Sequence, residues 1–473
     1  MIESKLVVLG GGPGGYAAAF LAADLGIETT IVDLSPELGG TCLLRGCIPS
    51  KALLHVAKLI EEAKHSADIG VDFGEAKIDL DKIRAHKNQI IKNLTGGLAQ
   101  LAKKRKVNVI NACGKFIDGN TLKLEGGNPE TYPQGDTLKF GNCIIATGSI
   151  PTMPGFLNIG SSKIMNSSGA LNLEDIPERM LIIGGGYIGL EMGTVYHSIG
   201  SKITVVEMEK NLLPGADADM VRPLAAKLKK QFENIYLSTK VAKVEEVQGK
   251  IEVTFEGKSA GVETFDRVLV SVGRTPHNKG YGLENINVEI NDRGFIVVDD
   301  QLKTGEKNIF AIGDIIGDPM LAHKAAYEGK IAVEIIAGQD SKKENKPIPA
   351  VVFTDPEIAW VGPTEAELKT QGVKYKAAKY PWLASGRAHA NGRTDGATKL
   401  LIDPETDIII AAAVTGFGAG ELIAELTLAV ENKTTAHELS QTIHAHPTMS
   451  ETSAFAAESY YGLATEIYKP KRK

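Results

Sequence analysis

A strand, a glycine-rich turn and a helix occur twice in this chain, and this repeat constrains the fold more than any other feature of the sequence. Each copy carries the pattern G-x-G-x-x-G between an apolar segment and a predicted helix. The matching glycines lie 174 residues apart and are Gly10 with Gly184, Gly12 with Gly186, and Gly15 with Gly189. Asp33 and Glu207 are related by the same offset. The sequence therefore predicts an α/β protein with two βαβ nucleotide-binding units.

The glycines and the acid of each unit suit a dinucleotide. Glycines let the backbone approach a pyrophosphate group at the positive end of a helix, and a carboxylate can accept hydrogen bonds from ribose hydroxyls. One such turn alone is often an ordinary tight connection, but each acid here follows its first glycine by 23 residues. Two copies in this context predict two dinucleotide sites. Glu207 favours NAD over NADP, because it would repel a 2′-phosphate.

Length, composition and charge exclude several classes of protein. With 473 residues, 43% hydrophobic and 23% charged, the chain is a globular protein too long for one compact domain. The net charge of -6 offers no basic field to nucleic acid, which we do not expect as a partner. Segment 6–23 is uncharged but contains five glycines and Pro13, so we expect neither a membrane span nor a targeting segment. We expect a cytoplasmic protein, or one that is mature after processing, with a solvated basic tail at 469–473.

Hydrophobic patterns outside the two repeats predict further helices and strands. We predict helices over 48–64 and 82–105, apolar strands over 142–146 and 267–272, and a strand with a turn over 307–314. The polar stretch 339–349 is typical of a linker into a last domain of mixed strands and helices.

Two cysteines stand close together in the segment GGTCLLRGCIPSK. In a regular helix a five-residue step rises about 7.5 Å, beyond the roughly 4.4–6.8 Å Cα separation of a disulfide. Cys42 and Cys47 can therefore bridge only if the turn is irregular, which Gly46 permits. Pro49 suits the first turn of the following helix, so that Cys47 would lie at a helix N-terminus, where the dipole favours its thiolate. The alternative is a pair of buried, inert thiols.

The other cysteines carry no such signal. Cys113 and Cys143 lie in apolar, strand-like segments, and we expect both to be buried structural thiols. No Cys/His spacing matches a zinc site, so we predict no metal. Four cysteines are too few for a secreted disulfide scaffold.

The segment from His444 to Glu451 offers an imidazole with a carboxylate nearby. A carboxylate bonded to one ring nitrogen fixes the tautomer and favours the imidazolium, as a base that works with a thiol requires. Taken alone, such a pair is more often structural.

Taken together and in order, these motifs resemble the flavin-dependent pyridine nucleotide-disulfide oxidoreductases, and the resemblance covers essentially the whole chain. The match includes both glycine units, residues 39–51, ATG at 146–148, GRTP at 273–276, AIGD at 311–314, MLAHKA at 320–325 and HAHPTMSE at 444–451. It implies two Rossmann-like dinucleotide-binding domains, for FAD and NAD, plus a C-terminal α+β dimerisation domain. The implied boundaries are 1–149 for FAD, 150–273 for NAD, 274–346 for a central domain completing the FAD site, and 347–473 for the interface.

The resemblance also implies a reaction, which is oxidation of protein-bound dihydrolipoyl groups with reduction of NAD through a redox-active disulfide and FAD. The implied partners are a second copy of the chain, the lipoyl domains and acyltransferase core of 2-oxoacid dehydrogenase complexes, and the lipoyl protein of the glycine cleavage system. One alternative is another disulfide or metal-ion reductase, but Glu207 disfavours NADP-linked glutathione reduction. The lack of any cysteine after Cys143 disfavours mercuric and large thioredoxin reductases. The other alternative, a silent flavoprotein that only binds, would have no reason to keep these thiols and His446 together.

Matching positions carry roles over from the family. Cys42 resembles the thiol that exchanges with the lipoyl dithiol, and Cys47 the thiol that contacts the flavin. The remaining catalytic positions are Lys51 with Glu191, as an ion pair beside the flavin, and His446 with Glu451, as the base and its orienting acid. The FAD positions are Gly10, Gly12, Gly15, Asp33, Lys51, Gly114, Thr147, Gly148, Asp314 and Ala322, and the NAD positions are Gly184, Gly186, Gly189, Glu207 and Gly273. Leu44-Arg45 departs from the Asn-Val often found in the family, which bears on the thiol pKa and the redox potential.

Overall fold

The computed structural model describes residues 1–468, so the basic tail predicted at 469–473 lies outside the described residues. The first unit consists of β1 (Ile2–Leu9), α1 (Pro13–Asp24), β2 (Thr29–Asp33), α2 (Gly40–Arg45), α3 (Cys47–His65), α4 (Leu80–Lys104), β3 (Asn108–Asn111), β4 (Cys113–Asp118), β5 (Thr121–Glu125) and β6 (Thr137–Ile145). Its strands are ordered β3-β2-β1-β6-β5-β4. β1 is parallel to both β2 and β6. The carboxyl ends of these three strands, including the end of β1 that leads into the glycine turn, therefore lie at one edge of the sheet.

Local chemistry sets the first turn. The central strand β1 is fully buried from Leu6 to Val8, as expected for a parallel strand covered on both faces. Pro13 occupies the first helical position of α1, where its missing N–H costs nothing. The helix ends at Asp24, and Gly26 follows with a φ of 79°, which a glycine adopts without strain.

The second unit repeats this arrangement. It comprises β7 (Ser149–Pro151), β8 (Ile164–Asn166), α5 (Ser167–Asn172), β9 (Arg179–Ile183), α6 (Tyr187–Ser198), β10 (Lys202–Val206), α7 (Ala218–Gln231), β11 (Asn234–Tyr236), β12 (Thr239–Val247), β13 (Lys250–Gly257), β14 (Gly261–Phe265), β15 (Arg267–Val270) and β16 (Arg274–Pro276). A parallel sheet has the order β11-β10-β9-β15-β8, and β12, β13 and β14 form a separate antiparallel sheet. β7 and β16 pair as a short ribbon that joins the two units.

The chain then returns to the first sheet. β17 (Ile309–Ala311) pairs in parallel with β6, and α8 (Ala322–Ile336) packs against α1. The approach of the two helices is close, because a Cβ on Gly329 would lie 2.7 Å from the carbonyl oxygen of Gly14. Residues that follow the second unit thus add a strand to the sheet of the first unit and a helix against its α1.

The last part of the described chain is a sheet with helices on one side. Its elements are β18 (Ala350–Val352), β19 (Glu357–Val361), α9 (Glu365–Gln371), β20 (Lys376–Pro381), α10 (Gly386–Ala390), β21 (Ala397–Ile402), β22 (Ile409–Gly416), α11 (Ala419–Glu431), α12 (Ala436–Gln441) and α13 (Glu451–Tyr461). The strands are antiparallel in the order β18-β19-β22-β21-β20, and a core with the buried Trp382 lies beneath α11 and α13. Within residues 1–468, no helix is both long enough and apolar enough to cross a membrane.

A buried lysine connects this sheet to the second unit. The Lys399 ammonium is 2.7 Å from Asp217 and Asp219 and 2.8 Å from Glu365. The three carboxylates are close enough together to hold a cation, and the ammonium supplies that positive charge. The contact ties the start of α7 to β21, an inner strand of the last sheet.

Candidate active site

The two glycine turns have the same hydrogen bonds. The amide of Gly11 donates to a carboxylate oxygen of Asp33, and the amide of Gly185 donates to Glu207 Oε2 at 2.6 Å. In both units the other carboxylate oxygen accepts from the amide two residues further on. Each acid therefore stands at the carboxyl end of its strand beside the N-terminus of a helix, as the 174-residue repeat predicts.

Close backbone contacts explain the glycines. A Cβ on Gly15 would lie 1.9 Å from the carbonyl oxygen of Gly10, and a Cβ on Gly189 would lie 2.4 Å from that of Gly184. Neither position tolerates a side chain unless the turn moves. The free amides at the helix N-terminus can then donate hydrogen bonds to a phosphate group at short range.

The first unit offers further groups that fit a flavin dinucleotide. The hydroxyl of Thr147 is buried and has no hydrogen-bond partner among the described residues, so it is available to a bound molecule. Ser149 donates to Asp314 at 2.5 Å and accepts from Arg274 at 2.7 Å, which fixes the aspartate. The amide of Gly313 donates to the fully buried Glu328 at 2.8 Å, which holds the same loop from the other side.

Cys42 and Cys47 lie on either side of a helix break. α2 ends before Gly46, whose φ of -148° and ψ of -110° are not helical, and α3 begins at Cys47. The irregular turn that the pair requires is therefore present, with Cys47 at a helix N-terminus. The structure holds the pair as two free thiols, joined by a hydrogen bond.

Their surroundings separate the two thiols electrostatically. The hydrogen bond from Cys42 and the nearby Lys51 cation lower the pKa of Cys47 to about 7. The same hydrogen bond, together with burial, raises the pKa of Cys42. Cys47 is thus the sulfur that carries the negative charge when the pair is reduced.

Lys51 is held by a buried acid. Its Nζ is 2.8 Å and 3.0 Å from the two carboxylate oxygens of Glu191, which is 3% exposed. The amide of Phe353 donates to the same carboxylate at 3.0 Å, and the Phe353 ring centroid is 4.4 Å from the lysine Nζ. α3, α6 and the start of the last sheet therefore meet at this ion pair.

Two tyrosines beside the thiols were not predicted from the sequence. Tyr16 on α1 is close enough to interact electrostatically with both thiols, and Tyr187 on α6 interacts with Cys47, Glu191 and Asp314. Tyr187 is the large aromatic residue inside the second glycine turn, and that position is the signal that could have identified it. It connects the second unit to the thiols.

The structure brings His446 and Glu451 together. The ring Nδ1 of His446 is 2.9 Å from Glu451 Oε1, and the amide of Thr448 donates to the other carboxylate oxygen at 2.8 Å. The His446 side chain is 80% exposed, whereas that of Glu451 is only 12% exposed. His444, by contrast, is 9% exposed and bonds Glu425 at 2.7 Å, so it anchors the loop. Within residues 1–468 of one chain, no hydrogen bond joins His446 to either active-site thiol.

The remaining predicted positions are distributed around the first sheet. Gly114 is buried in β4, Ala322 is the first residue of α8, and Gly273 has open space around it at a φ of 122°. Cys143 is fully buried in β6 as predicted. The prediction that Cys113 is buried is wrong, because it lies on the partly exposed face of the edge strand β4.

Comparison with known proteins agrees with this geometry. Residues 4–329 match the family described as pyridine nucleotide-disulphide oxidoreductase, and residues 348–457 match its dimerisation domain. The chain is 49% identical to dihydrolipoyl dehydrogenase of Vibrio cholerae, over 100% of this chain and 98% of the relative. It is 43% identical to dihydrolipoyl dehydrogenase of Bacillus subtilis, over 99% and 98%.

Solved structures are similar over nearly the whole fold. A crystal structure of LpdA from Mycobacterium tuberculosis superposes with a TM-score of 0.87 at 26% identity, covering 97% of this chain and 100% of that one. The HOCl-induced flavoprotein disulfide reductase RclA from Escherichia coli superposes with a TM-score of 0.84 at 26% identity, covering 95% and 98%.

The fold and the site define a two-dinucleotide oxidoreductase with a dithiol, and the chain belongs to the pyridine nucleotide-disulphide oxidoreductase family. It is therefore an oxidoreductase that binds a flavin and a pyridine nucleotide. The matched dimerisation domain indicates a homodimer. The relatives that share 42–49% of their residues with the chain are dihydrolipoyl dehydrogenases.

Proposed function

We propose that this chain oxidises dihydrolipoyl groups to lipoyl groups and reduces NAD, with FAD and the Cys42–Cys47 pair as its redox centres. The observation that carries the proposal is the dithiol itself, in which a hydrogen bond and the Lys51 cation favour a thiolate at Cys47. The names of the full-length relatives support the same substrate class.

The cofactors are assigned by the acids and the loops. Glu207 would accept hydrogen bonds from an adenosine ribose and would repel a 2′-phosphate, so the second unit takes NAD. FAD fits the first unit, where Asp33, the unpartnered Thr147 hydroxyl and Asp314 surround the glycine turn. When bound, FAD accepts the electron pair of the dithiol and passes a hydride to NAD.

The chain's own residues perform the thiol chemistry. His446 of the partner subunit takes a proton from one dihydrolipoyl thiol at Nε2, because Nδ1 is bonded to Glu451. The resulting thiolate attacks Cys42 Sγ of the oxidised pair, the Cys42–Cys47 bond breaks, and Cys47 leaves as the thiolate. The second lipoyl thiol then attacks the lipoyl sulfur of the mixed disulfide and the lipoyl ring closes. Cys42 leaves and takes the proton that His446 holds, and His446 takes the proton of the second lipoyl thiol.

The family positions become site residues of this proposal. FAD would contact Gly10, Gly12, Gly15, Asp33, Lys51, Gly114, Thr147, Gly148, Asp314 and Ala322, and NAD would contact Gly184, Gly186, Gly189, Glu207 and Gly273. The domains would be 1–149, 150–273, 274–346 and 347–473, which agrees with the return of β17 to the first sheet. The partners would be the lipoyl domains and acyltransferase core of a 2-oxoacid dehydrogenase complex, or a glycine cleavage lipoyl protein, in the cytoplasm.

Steady-state turnover of the purified homodimer tests this function. Dihydrolipoamide is supplied with NAD or with NADP, and reduced nicotinamide is followed by its absorbance. We expect turnover with NAD, weak turnover with NADP, and none in Cys42→Ser, while Cys143→Ser, at the buried thiol, behaves as wild type. Failure of the wild type to oxidise dihydrolipoamide would refute the substrate, and faster turnover with NADP would refute the role of Glu207.

A further inference from the structure

A loop outside the predicted FAD positions closes one side of the first site. It runs from His277 to Tyr281, directly after β16. The amide of His277 donates to the carbonyl of Gly148 at 2.9 Å, and the carbonyl of Tyr281 accepts from the amide of Phe116 on β4 at 2.8 Å. The loop is therefore held by backbone hydrogen bonds to the segment that follows β6 and to β4 of the first sheet.

The two aromatic rings at the ends of this loop are bonded to each other. The Tyr281 hydroxyl is 3.0 Å from His277 Nδ1, and the rings pack edge to face with centroids 5.2 Å apart. Since Tyr281 has an O–H to donate, we assign Nδ1 as the acceptor, and the His277 ring also interacts with the backbone of Thr147. The pair is thus a fixed unit, held at both ends.

The surroundings of this pair mark the adenosine side of the site. Both rings are close enough to Asp33 to interact with it electrostatically, and Asp33 is the acid of the first glycine unit. Cys113, one residue before Gly114, has its sulfur 3.8 Å from the carbonyl of Gly280. Both rings are only half-buried, so part of each ring is open to a bound molecule.

We propose that Tyr281, positioned by His277, forms an aromatic wall against the adenosine half of FAD. This inference rests on the proposed FAD site in the first unit. A flat ring suits this place because nucleobases stack on aromatic side chains, and His277 keeps the ring from rotating away. The contact would add affinity for the ADP portion of FAD and none for the isoalloxazine portion.

Substitutions can remove these side chains without releasing the loop, because both attachments of the loop are made by backbone atoms. Tyr281→Ala removes the ring, and Tyr281→Leu keeps apolar bulk against the core but has no flat face. Tyr281→Phe keeps the ring and loses only the bond to His277. The matched control is His437→Ala, which removes a histidine that also packs edge to face on a tyrosine, in the dimerisation domain.

The test measures flavin affinity on full-length dimer that has been freed of flavin in chaotropic salt and shown by circular dichroism to be folded. FAD, ADP and FMN are each titrated, with flavin or protein fluorescence as the readout. Base–aromatic stacking predicts that Tyr281→Ala and Tyr281→Leu weaken FAD and ADP binding together by about tenfold. Tyr281→Phe should weaken them less, and FMN binding and the His437→Ala control should not change.

Three results would overturn the inference: unchanged FAD affinity in Tyr281→Ala, a loss for FAD without a matching loss for ADP, or a loss of FMN binding. Each of these differs from failure of the proposed function, in which the wild-type dimer itself would not bind FAD.

Discussion

Removal of the Cys42 thiol should raise the pH at which Cys47 becomes a thiolate. The hydrogen bond from Cys42 is the largest cause of the low pKa of Cys47, which lies at about 7, and Lys51 is a further cause. Relative to an ordinary thiol at about 8.5, this pKa corresponds to roughly 2 kcal/mol, which solvent screening at the exposed Cys47 side chain reduces to about 1 kcal/mol in favour of the thiolate. Cys42→Ala should return at least roughly half of that shift, whereas Cys42→Ser, which keeps a hydroxyl donor, should retain most of it.

Alkylation of the reduced protein at different pH values measures this shift directly. Trypsin releases residues 46–51 as a peptide whose one cysteine is Cys47, so mass spectrometry reads its reaction with iodoacetamide alone. The thiolate is present above the pKa and is lost as the pH falls through it, so the wild-type rate should fall to half near pH 7. Cys143→Ala serves as the control. A midpoint near 7 in Cys42→Ala would refute the hydrogen bond as the main cause and would leave Lys51 and the helix terminus.

Three further substitutions test the other parts of the site. Glu207→Arg should shift the ratio of kcat/KM for NAD and NADP toward NADP by about 10- to 100-fold, since it exchanges a ribose acceptor for a phosphate partner; an unchanged ratio contradicts the NAD assignment. Gly189→Ala should abolish NADH binding in a fluorescence titration while FAD stays bound, because its Cβ would lie 2.4 Å from the Gly184 carbonyl oxygen. The control Gly97→Ala, in open space on α4, should leave NADH binding intact. His446→Gln should lower kcat by about 10²–10⁴-fold with the flavin spectrum unchanged; normal turnover would exclude it as the base.

Sequence patterns predicted the parts of the fold that depend on local chemistry. The helices predicted over 48–64 and 82–105 are α3 and α4, each within two residues at either end. The antiparallel sheet of β12, β13 and β14 was not predicted. A register shift between Val241 and Lys243 interrupts its alternating pattern, and its pairing depends on tertiary packing.

In the candidate site, too, local patterns placed some residues and tertiary packing placed the others. Helix-terminus and spacing arguments placed Cys47 at the start of α3 and the two acids beside their glycine turns. Tyr16 and Tyr187 interact with the thiols because of how α1 and α6 are placed in the fold, and only the position of Tyr187 inside its glycine turn is a local signal. The exposure of Cys113 follows from the position of β4 at the edge of its sheet, which depends on strand order rather than on local composition.

The central claim is that each active site combines the thiols of one chain with His446 of the other chain. Its most direct test mixes Cys42→Ser subunits with His446→Ala subunits, each inactive alone, under conditions that allow exchange. A mixed dimer keeps one intact site, and half the dimers are mixed at random, so activity should return to about a quarter of the wild-type value. Mixed dimers that form, as native mass spectrometry can establish, and remain inactive would contradict the shared site.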